Sequence, residues 1–266
     1  MTNCKIERSE LKLSKKDIKF PRKNSYPKDY DYLRFYISKN PIVRYAFLKR
    51  LEKAIDISSN NFAKIDTILE IGPGPGFLFL TFSEYANDVI GLDLEDHQLK
   101  AVREMALNED ISHKVILIQG DIVELPFKSN SLSLVYCFSV LEHVANLERA
   151  VTELYRVLKQ KGSLIVGIPI DTFITRVGRI VMRVGEHPNL ENLYSNIRRE
   201  LEKCFDISRI IRIPHDLLPE SFSLYEILKL NPGRMKMNVV RVPPKKTLPT
   251  GLTEERMKSE HPNGNT

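Results

Sequence analysis

The chain has 266 residues, a formal net charge of +6, 42% hydrophobic and 28% charged residues. This is the balance of an ordinary globular chain, long enough for one large α/β domain with a sizeable core. No apolar run approaches the roughly 18–20 residues that span a bilayer, and the charged N-terminus lacks the apolar stretch of a secretory signal, so a cytoplasmic location is expected. Three widely spaced cysteines, Cys4, Cys137 and Cys204, make neither a disulfide framework nor a zinc pattern.

The charge is uneven. Residues 1–50 carry 14 Lys and Arg against 5 acids, residues 234–266 carry 7 against 3, and residues 51–233 carry 19 against 26. The basic excess therefore belongs to the ends. Such ends are solvated tails unless an anionic surface meets them; a peripheral membrane contact is the partner they suggest, and no nucleic-acid partner is expected.

Residues 1–25 read as a polar, lysine-rich mobile arm. In PIVRYAFLKRLEKAI a helix is predicted, with Pro41 in its first turn and Val43, Phe47, Leu51 and Ile55 recurring every four positions. From residue 66 strands and helices alternate. Strands are predicted at 67–71, 88–93, 114–119, 132–138 and 163–168, with helices opening near Phe77, over 97–107 and over 145–158. Gln160-Lys161-Gly162 reads as a turn before the fifth strand. Apolar strands separated by helices imply a parallel sheet covered on both faces. After Pro169 the pattern turns mainly helical to about Lys203, and 207–213 and 235–242 are expected to supply two closing strands.

The strongest local signal is Glu70-Ile-Gly72-Pro-Gly74-Pro-Gly76, between the first strand and its helix. Alternate glycines let the backbone turn tightly and approach a ligand with no Cβ in the way. The dinucleotide fingerprint G-x-G-x-x-G fits Gly72 and Gly74 but meets Phe77 at its third position. Asp93 ends the second strand, 17 residues after Gly76, where a carboxylate can accept from ribose hydroxyls. Asp121 follows the third strand, where it can accept from an adenine amino group while Ile122 packs on the ring. Read singly, Asp93 is also a helix cap and Asp121 a turn residue.

Together the segments LEIGPGPG, VIGLD, GDIVELPF, LEHV and RVLKQKG resemble the type 11 domain of class I S-adenosylmethionine (SAM)-dependent methyltransferases, over residues 67–168. The resemblance implies a doubly wound, Rossmann-like, mostly parallel seven-stranded α/β sheet with SAM across strands one to four. It implies cofactor contacts from Glu70, Gly72, Gly74, Gly76, Asp93, Leu94, Asp121, Ile122 and Phe138. Leu132-Ser133 stands where the family usually opens its fourth strand with a pair such as Phe-Asp.

Beyond the fourth strand lies Ser139-Val-Leu-Glu142-His143-Val144. A His at that strand end can accept a proton from a methyl acceptor near neutral pH, so His143 and Glu142 are the candidate catalytic pair; each also suits a helix start. The segment resembles the E-x-x-E-H metal motif of some methyltransferases, but Ser139 replaces the first Glu, and no metal is expected. Residues 170–203 are expected to form a helical lid that selects the acceptor, with Arg176, Arg179 and Arg183 on one side of an amphipathic stretch. His187 reads as a turn residue before Pro188.

The organisation expected is a basic arm at 1–40, a methyltransferase domain at 41–242 and a flexible tail at 243–266. The function expected is methyl transfer from SAM to a small-molecule or lipid- or sugar-linked acceptor, with O-methylation favoured. A nicotinamide-dependent oxidoreductase and a non-catalytic SAM-binding or interaction module are the alternatives.

Overall fold

Apolar, β-branched runs make the strands. In β1, Ile65–Ile71, every position from Ile68 onward is buried, as expected of a strand covered on both faces. In the computed structural model β2 spans Ala86–Asp93, β3 Val115–Gln119, β4 Leu132–Phe138, β5 Leu158–Pro169, β6 Phe205–Ile213 and β7 Tyr225–Pro232. The helices are α1 Pro41–Ser58, α2 Phe79–Tyr85, α3 Asp96–Asn108, α4 Leu147–Val157 and α5 Tyr194–Cys204. The structure describes residues 19, 21, 22, 25, 26, 41–58, 65–170, 194–214 and 223–233.

The strands form one sheet in the order β3-β2-β1-β4-β5-β7-β6. The first five are parallel, and β7 runs antiparallel between β5 and β6. Chain order reverses direction at β1, which has β2 on one side and β4 on the other. A crevice at the carboxyl ends of β1 and β4 follows, and this is where open α/β sheets bind ligands. Helices α1, α2 and α3 cover one face of the sheet, around Ile68, Tyr136, Phe138 and Ile227. Helices α4 and α5 cover the other, around Leu69, Val135, Val166 and Leu228. On α1, Leu51 and Ile55 of the expected stripe are buried.

One expectation needs correction. The expected turn at 160–162 lies inside β5. Leu132 pairs with Leu158 and Leu134 with Ser163, so two steps on β4 face five on β5 and the extra residues bulge outward. Strand β7 stands where the sequence pattern marks none, and the strand expected at 235–242 lies outside the described residues, as do the arginine-bearing stretch 171–193 and His187.

Described residues of the basic arm make specific contacts. The Lys19 amide donates to Thr81 Oγ1 at 3.0 Å, and its ammonium pairs with Glu84. Arg22 donates from its amide and Nε to Glu109 and from Nη2 to the Asn108 carbonyl. Buried Tyr26 packs edge-on to Phe77 and donates its hydroxyl to the Pro75 carbonyl at 2.6 Å. The arm thus reaches the glycine turn.

At the far end of the sheet, Glu226 of β7 is fully buried between two arginines. Arg198 Nη1 of α5 lies 2.6 Å from Oε1 and Arg212 Nε of β6 3.1 Å from Oε2, while Tyr194 donates to Oε1 at 2.7 Å. Removing one member of such a network strands a buried charge and costs about 3–5 kcal/mol. It ties α5, β6 and β7 into one corner.

Candidate functional site

The glycine turn is a left-handed loop. Gly72, Gly74 and Gly76 have φ of +63°, +49° and +63°, values that side chains rarely tolerate. A Cβ on Gly72 would collide with Val140, beyond β4, so that glycine lets the two strand ends close together. A Cβ on Gly74 would meet nothing within 4 Å, so its backbone faces open space. The Gly72 amide donates to the Leu92 carbonyl at 2.8 Å and the Gly76 amide to the Pro73 carbonyl at 2.8 Å, which fixes the turn to β2 and closes it on itself. Phe77, where a dinucleotide loop would have its third glycine, is a buried core residue.

The sheet order sets the acids in a row along the carboxyl edge. Asp121 follows β3, Asp93 ends β2 and Glu70 is the penultimate residue of β1; Ser139 follows β4. Asp93 Oδ1 accepts from the Glu95 amide at 2.9 Å, and partial burial raises its carboxyl above the usual range despite that bond. Asp121 is exposed and accepts from the Val123 amide at 3.1 Å, so it caps the 3-10 turn that follows. Helix α4 holds that turn: Arg149 donates to the Val123 carbonyl, Glu153 accepts from the Leu125 amide, and Arg156 donates to the Leu125 and Phe127 carbonyls. Ile122 is buried beneath it, and Leu94, beside Asp93, is 64% exposed.

Glu70 is the unusual member. It is 5% exposed, and its Oε2 has no hydrogen-bond partner among the described residues. Burial pushes its carboxyl up to about 8, with the Arg50 charge opposing. A buried carboxylate oxygen left bare costs free energy until a donor meets it. Together with the open backbone at Gly74, this fits a ligand whose cationic group reaches Glu70.

Past β4 the chain strains. Ser139 has φ +53° and is held on two sides: Arg50 Nη1 donates to its Oγ at 3.3 Å, and its Oγ lies 3.0 Å from the Tyr225 hydroxyl. The 3-10 turn Leu141–His143 then points its two candidate residues apart. Glu142 is buried, 3% exposed, with Oε2 lacking a partner among the described residues. Desolvation raises its carboxyl, and the His143 and Arg50 charges oppose this. His143 is exposed. Phe138 is buried in a row of rings, stacked between Tyr136 and Tyr225 at centroid distances of 6.1 and 6.4 Å. Gly167 of β5 makes room for this row, since a Cβ there would collide with Phe138.

Arg50 and Tyr225 have no counterpart in the sequence reading of the site. Each comes from an element packed against the crevice, and 89 residues separate Arg50 from Ser139.

A sheet ordered 3-2-1-4-5-7-6 with its seventh strand reversed, and a glycine turn followed by acids at successive strand ends, are the architecture of the class I methyltransferase fold. Residues 69–166 match the model of the family described as "Methyltransferase domain". Among curated proteins, the chain is 31% identical over 98 residues to a sterol 24-C-methyltransferase of Pneumocystis carinii, covering 36% of this chain and 26% of that protein. It is 31% identical over 122 residues to the ubiquinone/menaquinone biosynthesis C-methyltransferase UbiE of Enterobacter sp. strain 638, covering 45% and 49%. The chain thus spans between a quarter and a half of these relatives. Among solved structures, the N-methyltransferase NodS of Bradyrhizobium japonicum WM9, in complex with S-adenosyl-L-homocysteine (SAH), shares the fold. Its TM-score is 0.55 at 12% identity, over 74% of this chain and 91% of that one.

Proposed function

We propose that the chain transfers the methyl group of SAM to a small-molecule or lipid- or sugar-linked acceptor. The observation that carries this reading is the row Asp121, Asp93, Glu70 along the switch-point edge, ending beside an open glycine turn. Asp121 and Asp93 would hold adenine and ribose, with Ile122 and the exposed Leu94 against the ring. Gly72, Gly74 and Gly76 would admit the cofactor to the backbone, and Glu70 would face its ammonium. The cofactor supplies a methyl on a sulfonium, which leaves as a neutral thioether when the C–S bond breaks, so this chain's residues bind, align and exclude water. Separate calorimetric titrations with SAM, SAH and NAD test the reading: SAM and SAH bind and NAD does not. Binding of NAD alone would overturn it in favour of the oxidoreductase alternative, and cofactor binding with no transfer to any acceptor would favour the interaction module.

His143, exposed beyond β4, would take the acceptor's proton. Glu142, buried behind it, would act through charge. A base of this kind suits a hydroxyl or phenol, which favours O-methylation. A carbon acceptor also gives up a proton, and the names of the two curated relatives make C-methylation the second reading. NMR of the product separates the two, because O-methyl and C-methyl groups resonate apart.

No helix among the described residues is long and apolar enough to cross a membrane. A lipid-linked acceptor would instead bring the chain to a membrane surface, where the basic ends and Arg176, Arg179 and Arg183 would meet anionic lipid at about 1 kcal/mol each. Sedimentation with anionic but not neutral vesicles, weakened by salt, supports that acceptor class. No sedimentation at low salt leaves a water-borne acceptor.

A further inference from the structure

We infer that Tyr26 is a positioning residue for the cofactor: it locks the glycine turn from the side of Phe77, and Glu109 anchors the strap of the N-terminal arm that carries it. Arm and cofactor are thereby coupled. The inference rests on the cofactor reading above.

The turn needs such a lock. Pro73 and Pro75 fix their own φ, which leaves the peptide planes after them as the freest units of the turn, because each ends on a glycine. The plane between Pro73 and Gly74 is held by its carbonyl, which accepts from the Gly76 amide at 2.8 Å. The plane between Pro75 and Gly76 is held at both ends. Its nitrogen makes that same bond, and its carbonyl accepts from the Tyr26 hydroxyl at 2.6 Å. Without the hydroxyl the carbonyl loses this buried bond, and rotating the plane toward another donor becomes favourable.

The lock sits where the turn is covered. Tyr26 is 4% exposed, and its ring meets Phe77 edge-on at 6.0 Å between centroids. Val102 and Met105 of α3 leave no slack for a side chain at Gly76, whereas Gly74 faces open space. The turn is thus clamped at its covered end and bare where a ligand would enter.

The anchor lies one residue back. Glu109 caps the end of α3, and its side chain is 11% exposed. It accepts from the Arg22 amide at 2.7 Å, from Arg22 Nε at 3.1 Å and from the Ser25 hydroxyl. Asn108 donates to the Ser25 carbonyl at 3.1 Å. These sheltered bonds to a charged group outweigh the more exposed Lys19–Glu84 pair, which contributes little. Tyr26 follows Ser25 directly, so the anchor fixes where its hydroxyl can reach. A turn already set in the free protein gives up less freedom on binding. By linkage, a cofactor that needs the set turn must hold the strap down by the same factor.

Calorimetry with SAH on the full chain and on its Tyr26→Phe, Glu109→Ala and doubly substituted variants tests this. Tyr26→Phe keeps the ring on Phe77 and removes only the hydroxyl, so the fold should survive with SAH weakened by about 3- to 10-fold, the worth of one neutral hydrogen bond. Glu109→Ala should weaken SAH within the same range. The double variant should lose no more than the weaker-binding single one, because both act through one contact. Reciprocally, SAH should slow tryptic cleavage after Arg22 in wild type, and much less in Tyr26→Phe, as followed by mass spectrometry. A Tyr26→Phe chain that melts lower but binds SAH unchanged overturns the inference, since the contact would then be structural alone. So does cleavage after Arg22 that SAH leaves unchanged, and so do losses from the two substitutions that simply add. A wild-type chain that binds no SAH overturns the cofactor reading, and this inference with it.

Discussion

Replacing Glu70 by Gln should make the ligand-free domain more stable at alkaline pH while weakening its hold on SAM. Burial raises the Glu70 carboxyl from 4.5 to about 8. Between those values the native state keeps a proton that the unfolded chain releases, so stability falls as pH rises through that window and levels off above it. Each unit corresponds to about 1.4 kcal/mol, so the ionised carboxylate costs the free fold up to about 5 kcal/mol above pH 8. Relaxation and water entry reduce this, and a gain of about 2–3 kcal/mol for Glu70→Gln at high pH is the working expectation. The amide has nearly the same shape and does not titrate, so its contribution stays flat. Urea unfolding of both proteins at about pH 5 and about pH 9 gives the difference directly. The two should be nearly equal in acid and diverge in alkali. Curves that stay parallel across the whole range would falsify the assignment of Glu70 as a buried, unsatisfied carboxyl. Adding SAM should narrow the alkaline gap, because the ligand stabilises wild type more than the variant.

Asp93→Ala should weaken SAM and SAH binding together by about tenfold or more, through loss of hydrogen bonds to a charged acceptor, as read by calorimetry. Gly74→Val should abolish cofactor binding, since its side chain would fill the open space before the turn. Both variants carry the strain of a valine at positive φ, and Gly72→Val adds a collision with Val140, so thermal melts should show the larger drop for Gly72→Val. His143→Ala should lower turnover by about 10²–10⁴-fold with little change in SAM affinity, and a variant of near-full activity would remove His143 from the proton transfer.

The parallel half of the sheet was legible in the sequence because its signals are local. A run such as Ile68–Ile71 marks a strand by itself, and Gly72 to Gly76 marks a turn by itself. The edge row of Asp93 and Asp121 was equally legible, since strand ends can be counted along the chain. The antiparallel half was harder: YEILKLNP ends at Pro232 and has one β-branched residue where MKMNVVRV has three valines, so it advertises a strand less. The bulge in β5 looks like a turn in the sequence because Gln160-Lys161-Gly162 has turn chemistry, which the structure uses without leaving the strand. Arg50 gave no sign at all. Its neighbours Phe47 and Leu51 mark the covered face of α1, but only the tertiary contact with Ser139 turns an ordinary helical arginine into part of the crevice.

The reversed strand also dates the assembly of the site. Chains emerge from the ribosome N-terminus first, and β7 pairs on both sides with strands that precede it. When Ile213 has appeared, the glycine turn, Glu70, Asp93 and Asp121 can all be in place. At that stage β6 has no partner, because β7 is its neighbour in the sheet. The free edge of β5 then bares the backbone beside Leu164, Val166 and Ile168, an invitation to pair with another chain. Tyr225 is absent too, so Ser139 has only one of its two supports. A nascent chain stalled before Tyr225 should therefore hold a nearly finished β3–β1 side of the edge and an unfinished β4 end. Final closure falls to a single late strand, which joins β6 to β5 by pairing with both.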